Sequence, residues 1–330
     1  LLENGEHSAY KDWFHVKGFP LNAYTHGDAE NYSAWWNFKS LPKFNTDNPV
    51  VRDYIYDIAK YWMEAGADGW RLDVPNEIDS DAFWAGFRQI VRGANPDAYI
   101  LGEIWEVDPR WVDDNHFDGL MHYPVRDALI ETLNSQINAT QFGDKVESLF
   151  NAYPQENVRA MYVPLGSHDT KRIHHKLGGD LDKIKLAFLF QFAYPGAPAI
   201  YYGDEVGVDG DKDPDCRRAF PWDKSEWKGN LRDWVQELIG LRKRIPAMRR
   251  GEYIRLLAEE KGYAFARKLG TEKVVVAMNL SENAETLRIP VGNLLKDGDE
   301  LRSLLNHNRF GVREGFVEIK LDAWSGVWLK

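Results

Sequence analysis

Hydrophobic positions along the chain follow two rhythms, and the texture changes near Gly251. Over residues 48–65, Val51, Tyr54, Ile55, Ile58 and Trp62 recur at helical spacing behind Pro49, which predicts a helix with one apolar stripe and a proline in its first turn. A second helix is predicted from about Asp81, carrying Phe83, Phe87, Ile90 and Val91. Another spans 228–245, through Leu231, Trp234, Val235, Leu238 and Leu241. Short apolar runs between helical stretches predict strands near 68–73, 98–102, 117–121, 160–165 and 199–202. Helices alternating with such strands indicate an α/β class with parallel strands. Residues 1–47 are polar, aromatic and irregular. After Gly251, short alternating runs such as Val274–Met278 predict an antiparallel β module, ending in Trp324–Trp328. The chain has no internal repeat and no low-complexity tract.

Three of the predicted strands run directly into chargeable residues: Gly69-Trp70-Arg71-Leu72-Asp73, Leu101-Gly102-Glu103-Ile104-Trp105 and Gly166-Ser167-His168-Asp169-Thr170. Catalytic groups of parallel α/β folds collect at that end of the strands. Arg71 and Asp73 are two apart on one strand, so their side chains leave on the same face. A guanidinium beside a carboxylate suits a nucleophile, which acts in its ionised form. Glu103 follows Ile100, Leu101 and Gly102 with no arginine in its own motif. An apolar wall and a neighbouring negative charge would raise its pKa, as a proton donor requires. Taken singly, Asp73 with Arg71 reads equally as a strand-end ion pair, and Glu103 as an edge-of-strand glutamate. Together the three carboxylates match what acid-catalysed glycoside cleavage needs.

The order and surroundings of these motifs resemble the alpha-amylase superfamily, within it the neopullulanase, cyclomaltodextrinase and maltogenic amylase branch. Leu41-Pro42-Lys43-Phe44-Asn45 is similar to that branch's MPKLN-type motif, with Leu for Met and Phe for Leu. Asp68 through Glu77, DGWRLDVPNE, resembles its second conserved region, where the family usually has Ala at the position of Pro75. Pro195 through Gly207, PGAPAIYYGDEVG, resembles the segment around the last barrel strand. The resemblance implies Asp73 as nucleophile, Glu103 as general acid/base and Asp169 as the third carboxylate. Arg71 and His168 would flank the cleaved sugar; Asn76, Glu77, Trp105 and Tyr123 would contact substrate, the last two on the acceptor side. It implies hydrolysis of α-1,4 bonds in cyclodextrins, pullulan or maltooligosaccharides, with transglycosylation when a sugar replaces water. An α-1,6-glucosidase, a trehalose-forming isomerase and a non-catalytic glucan-binding relative stay open. Loss of a carboxylate, usual in such non-catalytic relatives, has not occurred here.

The implied fold is the C-terminal portion of a (β/α)8 TIM barrel followed by a small antiparallel β-sandwich. Residues 1–47 would belong to a loop-rich inserted domain, 48–248 to strands 4–8 of the barrel, and 249–330 to the C-terminal β domain. The predicted strands number five, whereas a closed barrel of this kind needs eight. The family's DxxxNH-type region, which supplies a substrate-binding Asp and a His, does not occur before Leu41. The expectation is therefore that three βα units lie upstream of Leu1, with an N-terminal β domain before them.

Composition narrows the partners. The chain carries 41 Lys plus Arg against 51 Asp plus Glu, so nothing draws it to nucleic acid or an anionic membrane. Arg242-Lys243-Arg244 and Arg249-Arg250 end an amphipathic helix and are expected on a solvated face. With 13 Trp, 15 Tyr and 16 Phe, the chain has rings enough to face sugars, though most will be core. Cys216 is the only cysteine, so no disulfide forms within the chain. The expected location is the cytoplasm, and the resemblance allows a homodimer. Asp209-Gly-Asp211-Lys-Asp213-Pro-Asp215 opens like a calcium loop, but the twelfth position that should be Glu is Phe220. It is read as an acidic surface loop, and no cofactor is required. His174 and His175 are read as solvated, pointing apart on a helix.

Overall fold

The structure, a computed structural model, describes all 330 residues. The chain divides into two compact units, Leu1–Ile104 with Arg110–Asp118, and Trp105–Pro109 with Gly119–Lys330. No helix is long and apolar enough to cross a membrane.

In the first unit, residues 1–48 form 3-10 turns and isolated bridges, among them Phe14 to Phe44 and Ala34 to Pro42. Helix α1 (Pro49–Glu64) starts where the Asn48 side chain accepts from Val50 N and Pro49 presets the first turn. Strand β1 (Gly69–Leu72) follows, then α2 (Asp81–Ala94), capped by Ser80 through Phe83 N, and β2 (Tyr99–Gly102). The two strands pair in parallel, with Gly69 opposite Tyr99 and Leu72 opposite Gly102. A Cβ on Gly69 would fall 2.0 Å from the Tyr99 carbonyl oxygen, so only glycine lets the strands meet there.

The α1 stripe differs from the expected one. Val51, Ala59 and Met63 are buried, while Tyr54, Ile58 and Trp62 are exposed. Contact with α2 sets the rotation: Tyr56 donates its hydroxyl to the Phe83 carbonyl at 2.7 Å, and its ring lies over Gly86. Apolar spacing alone could not separate two adjacent stripes on one helix.

The second unit opens its regular structure with β3 (Gly119–Leu120), α3 (Tyr123–Leu133), α4 (Ala139–Asn151) and α5 (Gln155–Ala160). Strand β4 (Tyr162–Pro164) and the short α6 (Ile173–Lys176) lead to α7 (Leu181–Ala193) and β5 (Ala197–Ala199), which pairs in parallel with β4. The last strand thus ends earlier than the expected 199–202. Tyr202 already belongs to a turn in which Asp204 N donates to the Tyr201 carbonyl. Helices α8 (Leu231–Arg244) and α9 (Pro246–Arg250) follow.

From Glu252 onward the pairing turns antiparallel. Strands β6 (Glu252–Glu259), β7 (Gly262–Leu269) and β8 (Glu272–Asn279) form a meander, joined at the β8 edge by the final strand (Gly326–Leu329). Their inward residues Leu257, Val275 and Leu329 make one apolar core with Ile289, Val317 and Ile319 of the antiparallel pair Glu285–Pro290 and Phe316–Leu321.

Arg242 is not on a solvated face. It is buried at the end of α8, and its guanidinium donates to the carbonyls of Phe192, Gly196 and Met248. The unpaired carbonyls at the end of α7 need donors, and a long forked cation supplies several at once. Burial pushes its pKa down to about 10.

Candidate active site

The residues singled out from sequence fall into one group in each unit. In the first, the β1–β2 register sets Asp73 and Glu103 one step beyond the Leu72–Gly102 pair, and Glu103 N donates to the Leu72 carbonyl at 2.9 Å. Arg71 divides its guanidinium between them. Nη1 lies 2.8 Å from Asp73 Oδ1 and Nη2 lies 2.6 Å from Glu103 Oε1. The two carboxylates have opposite environments: the Asp73 side chain is 77% exposed, that of Glu103 3%.

The Glu103 pKa is raised above the usual carboxylate range, chiefly by burial. Arg71 and the Val74 N–H, which donates to Oε2 at 3.3 Å, oppose the rise; a side-chain hydrogen bond with Asp73 and its charge reinforce it. The apolar wall expected from sequence is thus the main cause. The sharing of Arg71 was not legible, because Glu103 has no arginine near it in the chain. Val74 sits at φ 32°, ψ 57°, a left-handed conformation that is rare for a β-branched residue. Such a backbone costs on the order of 1–3 kcal/mol. Here it follows Asp73 directly and coincides with the N–H bond to Glu103.

Asp73, Val74, Pro75 and Glu77 line a cavity of about 960 Å3 together with residues of the irregular segment, including His15, Trp35 and Lys43. Lys43, in the 41–45 motif, bonds both the carboxylate and the backbone carbonyl of Glu77. Asn76 is exposed on the turn between them.

In the second unit, His168 Nε2 lies 3.0 Å from Asp169 Oδ2, and Arg217 Nη2 lies 3.5 Å from Asp169 Oδ1. Arg217 also donates from Nε to the His168 carbonyl at 3.0 Å. Arg217 was missed because it stands in a stretch that reads as an acidic loop, where it pairs with Asp213 four residues before it. Behind this turn, Arg172 is fully buried. Its guanidinium bonds the carbonyls of Cys216 and Tyr202 and the Asp204 carboxylate, and stacks 4.0 Å from the Tyr201 ring centre. Burial pushes Asp204 up to about 7, against the pull of Arg172.

Trp105 and Tyr123 stack face to face, with ring centres 3.9 Å apart and planes 2° from parallel. Trp105 is 41% exposed, whereas Tyr123 is wholly buried at the start of α3. Tyr123 therefore offers no face to a ligand in this conformation, a correction to its reading as a sugar contact. Its ring carries Trp105 instead, because the stack covers it.

In the acidic loop each carboxylate meets a cation or an imidazole: Asp211 meets Lys171, Asp213 meets Arg217, and Asp215 meets Arg218. Asp209 receives both His174 and His175, at 3.4 and 3.2 Å. The two imidazoles converge on one carboxylate rather than pointing apart, each presenting Nδ1 to Asp209 Oδ1.

The family described as "Alpha amylase, catalytic domain" matches residues 3–251, and "Neopullulanase-like, C-terminal domain" matches 253–328. The chain belongs to the alpha-amylase family. It is similar to a cyclomaltodextrinase of Geobacillus thermopakistaniensis, 39% identical over 98% of this chain and 56% of that protein. It is also similar to an intracellular maltogenic amylase of Bacillus subtilis, 41% identical over 74% of this chain and 40% of that one. The crystal structure of Ttha1563 from Thermus thermophilus superposes with a TM-score of 0.93 at 39% identity, covering 100% of this chain and 72% of that one. The chain thus spans about half the length of the cyclomaltodextrinase it matches.

Proposed function

We propose that the protein is a retaining glycoside hydrolase that cleaves α-1,4-glucosidic bonds in cyclodextrins, pullulan or maltooligosaccharides. The observation that carries this reading is the division of Arg71 between an exposed carboxylate and a buried one whose pKa burial raises. Asp73 attacks the anomeric carbon, forming the glycosyl–enzyme bond as Glu103 hands its proton to the departing oxygen. Glu103, now a carboxylate, takes a proton from water, whose oxygen displaces Asp73 and frees the sugar. A sugar hydroxyl in place of water gives transglycosylation. The sharing of one guanidinium by both carboxylates, at 2.8 and 2.6 Å, supports retention, because an inverting pair stands roughly 6.5–9.5 Å apart to admit water between.

Asp169 is assigned as the third carboxylate, with His168 beside it, and Trp105 as the acceptor-side platform. Glu77 and Asn76 are assigned to substrate contact at the cavity rim. Residues 1–47 are proposed as the inserted loop-rich domain, 48–248 as the barrel portion and 249–330 as the C-terminal β domain. We also propose a cytoplasmic location, as the intracellular amylase of B. subtilis suggests, and a homodimer.

The test is the anomer released from maltotriose, followed by proton NMR in the first minutes. The α-anomer is expected first; initial release of the β-anomer would sink the retaining assignment. Cleavage of isomaltose in preference to maltotriose would move the reading to the α-1,6 class.

A further inference from the structure

Three side chains join the aromatic platform to the turn that carries Asp169. The Tyr123 ring supports Trp105, and its hydroxyl donates to Ser167 Oγ at 3.0 Å. Ser167 Oγ accepts in turn from Asp169 N at 3.2 Å. Ser167 N donates to Thr170 Oγ1 at 3.0 Å, closing a tight turn around the serine. Tyr123 and Ser167 are both buried, so water does not compete readily for these bonds. The side chain of Asp169, by contrast, is held only from its open side, by His168 and Arg217.

A carboxylate on a turn is aimed by its backbone, and the backbone N–H of Asp169 has the Ser167 hydroxyl as its acceptor. Without that oxygen, the N–H would lose its partner and the turn could rotate. Tyr123 fixes the same oxygen from below. Since its ring also sets the plane of Trp105, the platform and the carboxylate share one anchor. Ser167 reaches Asp169 at its backbone N–H, and Tyr123 reaches it through Ser167.

We propose that Tyr123 and Ser167 are positioning residues. Through the chain Tyr123 Oη, Ser167 Oγ and Asp169 N, they lock the Asp169 carboxylate in register with the sugar platform of Trp105. The proposal rests on the catalytic reading of Asp169 given above and adds the residues that aim it. An α-glucan sugar lying on Trp105 thereby meets Asp169 at a set height, and a loosened link lowers turnover more than binding.

The test is a double-variant cycle with maltotriose as substrate. Tyr123→Phe keeps the ring stack and removes only the hydroxyl; Ser167→Ala removes the shared acceptor. Each single change is expected to lower kcat about five- to tenfold, the worth of one hydrogen bond, with KM changed less than about twofold. The double variant should lose no more than Ser167→Ala alone, because the link is already cut. Ser167→Thr, which keeps the oxygen, should recover most of the rate. Losses that multiply in the double variant, or a rise in KM at constant kcat, would overturn the link. Asp169→Asn in the same assay separates the two readings: an inactive Asp169→Asn with multiplying losses sinks only the link. A fully active Asp169→Asn sinks the assignment of Asp169 and the link with it.

Discussion

Arg71 and Arg172 each hold a carboxylate that burial has pushed to higher pKa, yet they do different things. Arg71 forks between two carboxylates, one of them open to a large cavity. Arg172 is sealed, with one carboxylate, two backbone carbonyls and the faces of two tyrosines around it. The first arrangement sets a buried carboxylate of raised pKa beside an accessible one. The second fastens three loop segments, around 172, 202–204 and 216, into one piece. A perturbed carboxylate therefore marks a reactive site only when a second group and open space accompany it.

The sharpest way to break this contrast is to remove one carboxylate at a time. Asp73→Asn should lower turnover on the order of 10⁴-fold or more, and Glu103→Gln about 10²–10⁴-fold, both with unchanged thermal unfolding. A maltosyl donor with an activated leaving group, which departs without a proton, should still label Glu103→Gln rapidly in mass spectrometry. Equal labelling of both variants would end the division of roles.

A smaller effect is expected from Arg71→Gln, about 10²-fold in kcat/KM, since both carboxylates lose their shared anchor. Arg71 lowers the Glu103 pKa, so its loss should move the alkaline limb of the kcat/KM profile to higher pH. An alkaline limb that stays put would show that another group carries it.

The smallest effect concerns the sealed pair. Asp204 is raised in the fold to about 7, so the native state binds its proton more tightly than the unfolded chain does. Its contribution to stability is complete below about pH 4 and lost as pH rises through about 7. Asp204→Asn should flatten that fall, changing the difference in unfolding free energy between pH 5 and pH 8 by on the order of 1–3 kcal/mol in urea titrations. An unaltered pH dependence would remove Asp204 as its source.

What could be read in advance was local. Arg71 and Asp73, two apart on a strand, had to share a face, and Glu103 behind three small or apolar residues had to meet low polarity. What stayed hidden depends on contacts distant in sequence. Arg71 reaches Glu103 only through the β1–β2 register. Val74 adopts a backbone its side chain disfavours, contrary to any propensity. Arg242 carries a charge and still goes inside, because four carbonyl contacts from two stretches, 192–196 and Met248, await it. The rotation of α1 was decided by Tyr56 and Gly86, which no count of apolar residues would select.

The end of α7 has a consequence for how this part of the chain comes apart. Arg242 on α8 takes the carbonyls of Phe192 and Gly196, while Arg267 on β7 takes those of Ala193 and Gly251. Family boundaries fall between residues 251 and 253, so the two arginines lie on opposite sides of that division. Peeling the antiparallel sheet from the helices would take Arg267 from the Ala193 and Gly251 carbonyls and bare the apolar surface buried around them to water. These two segments are therefore expected to melt in one transition, although the two family matches meet between them.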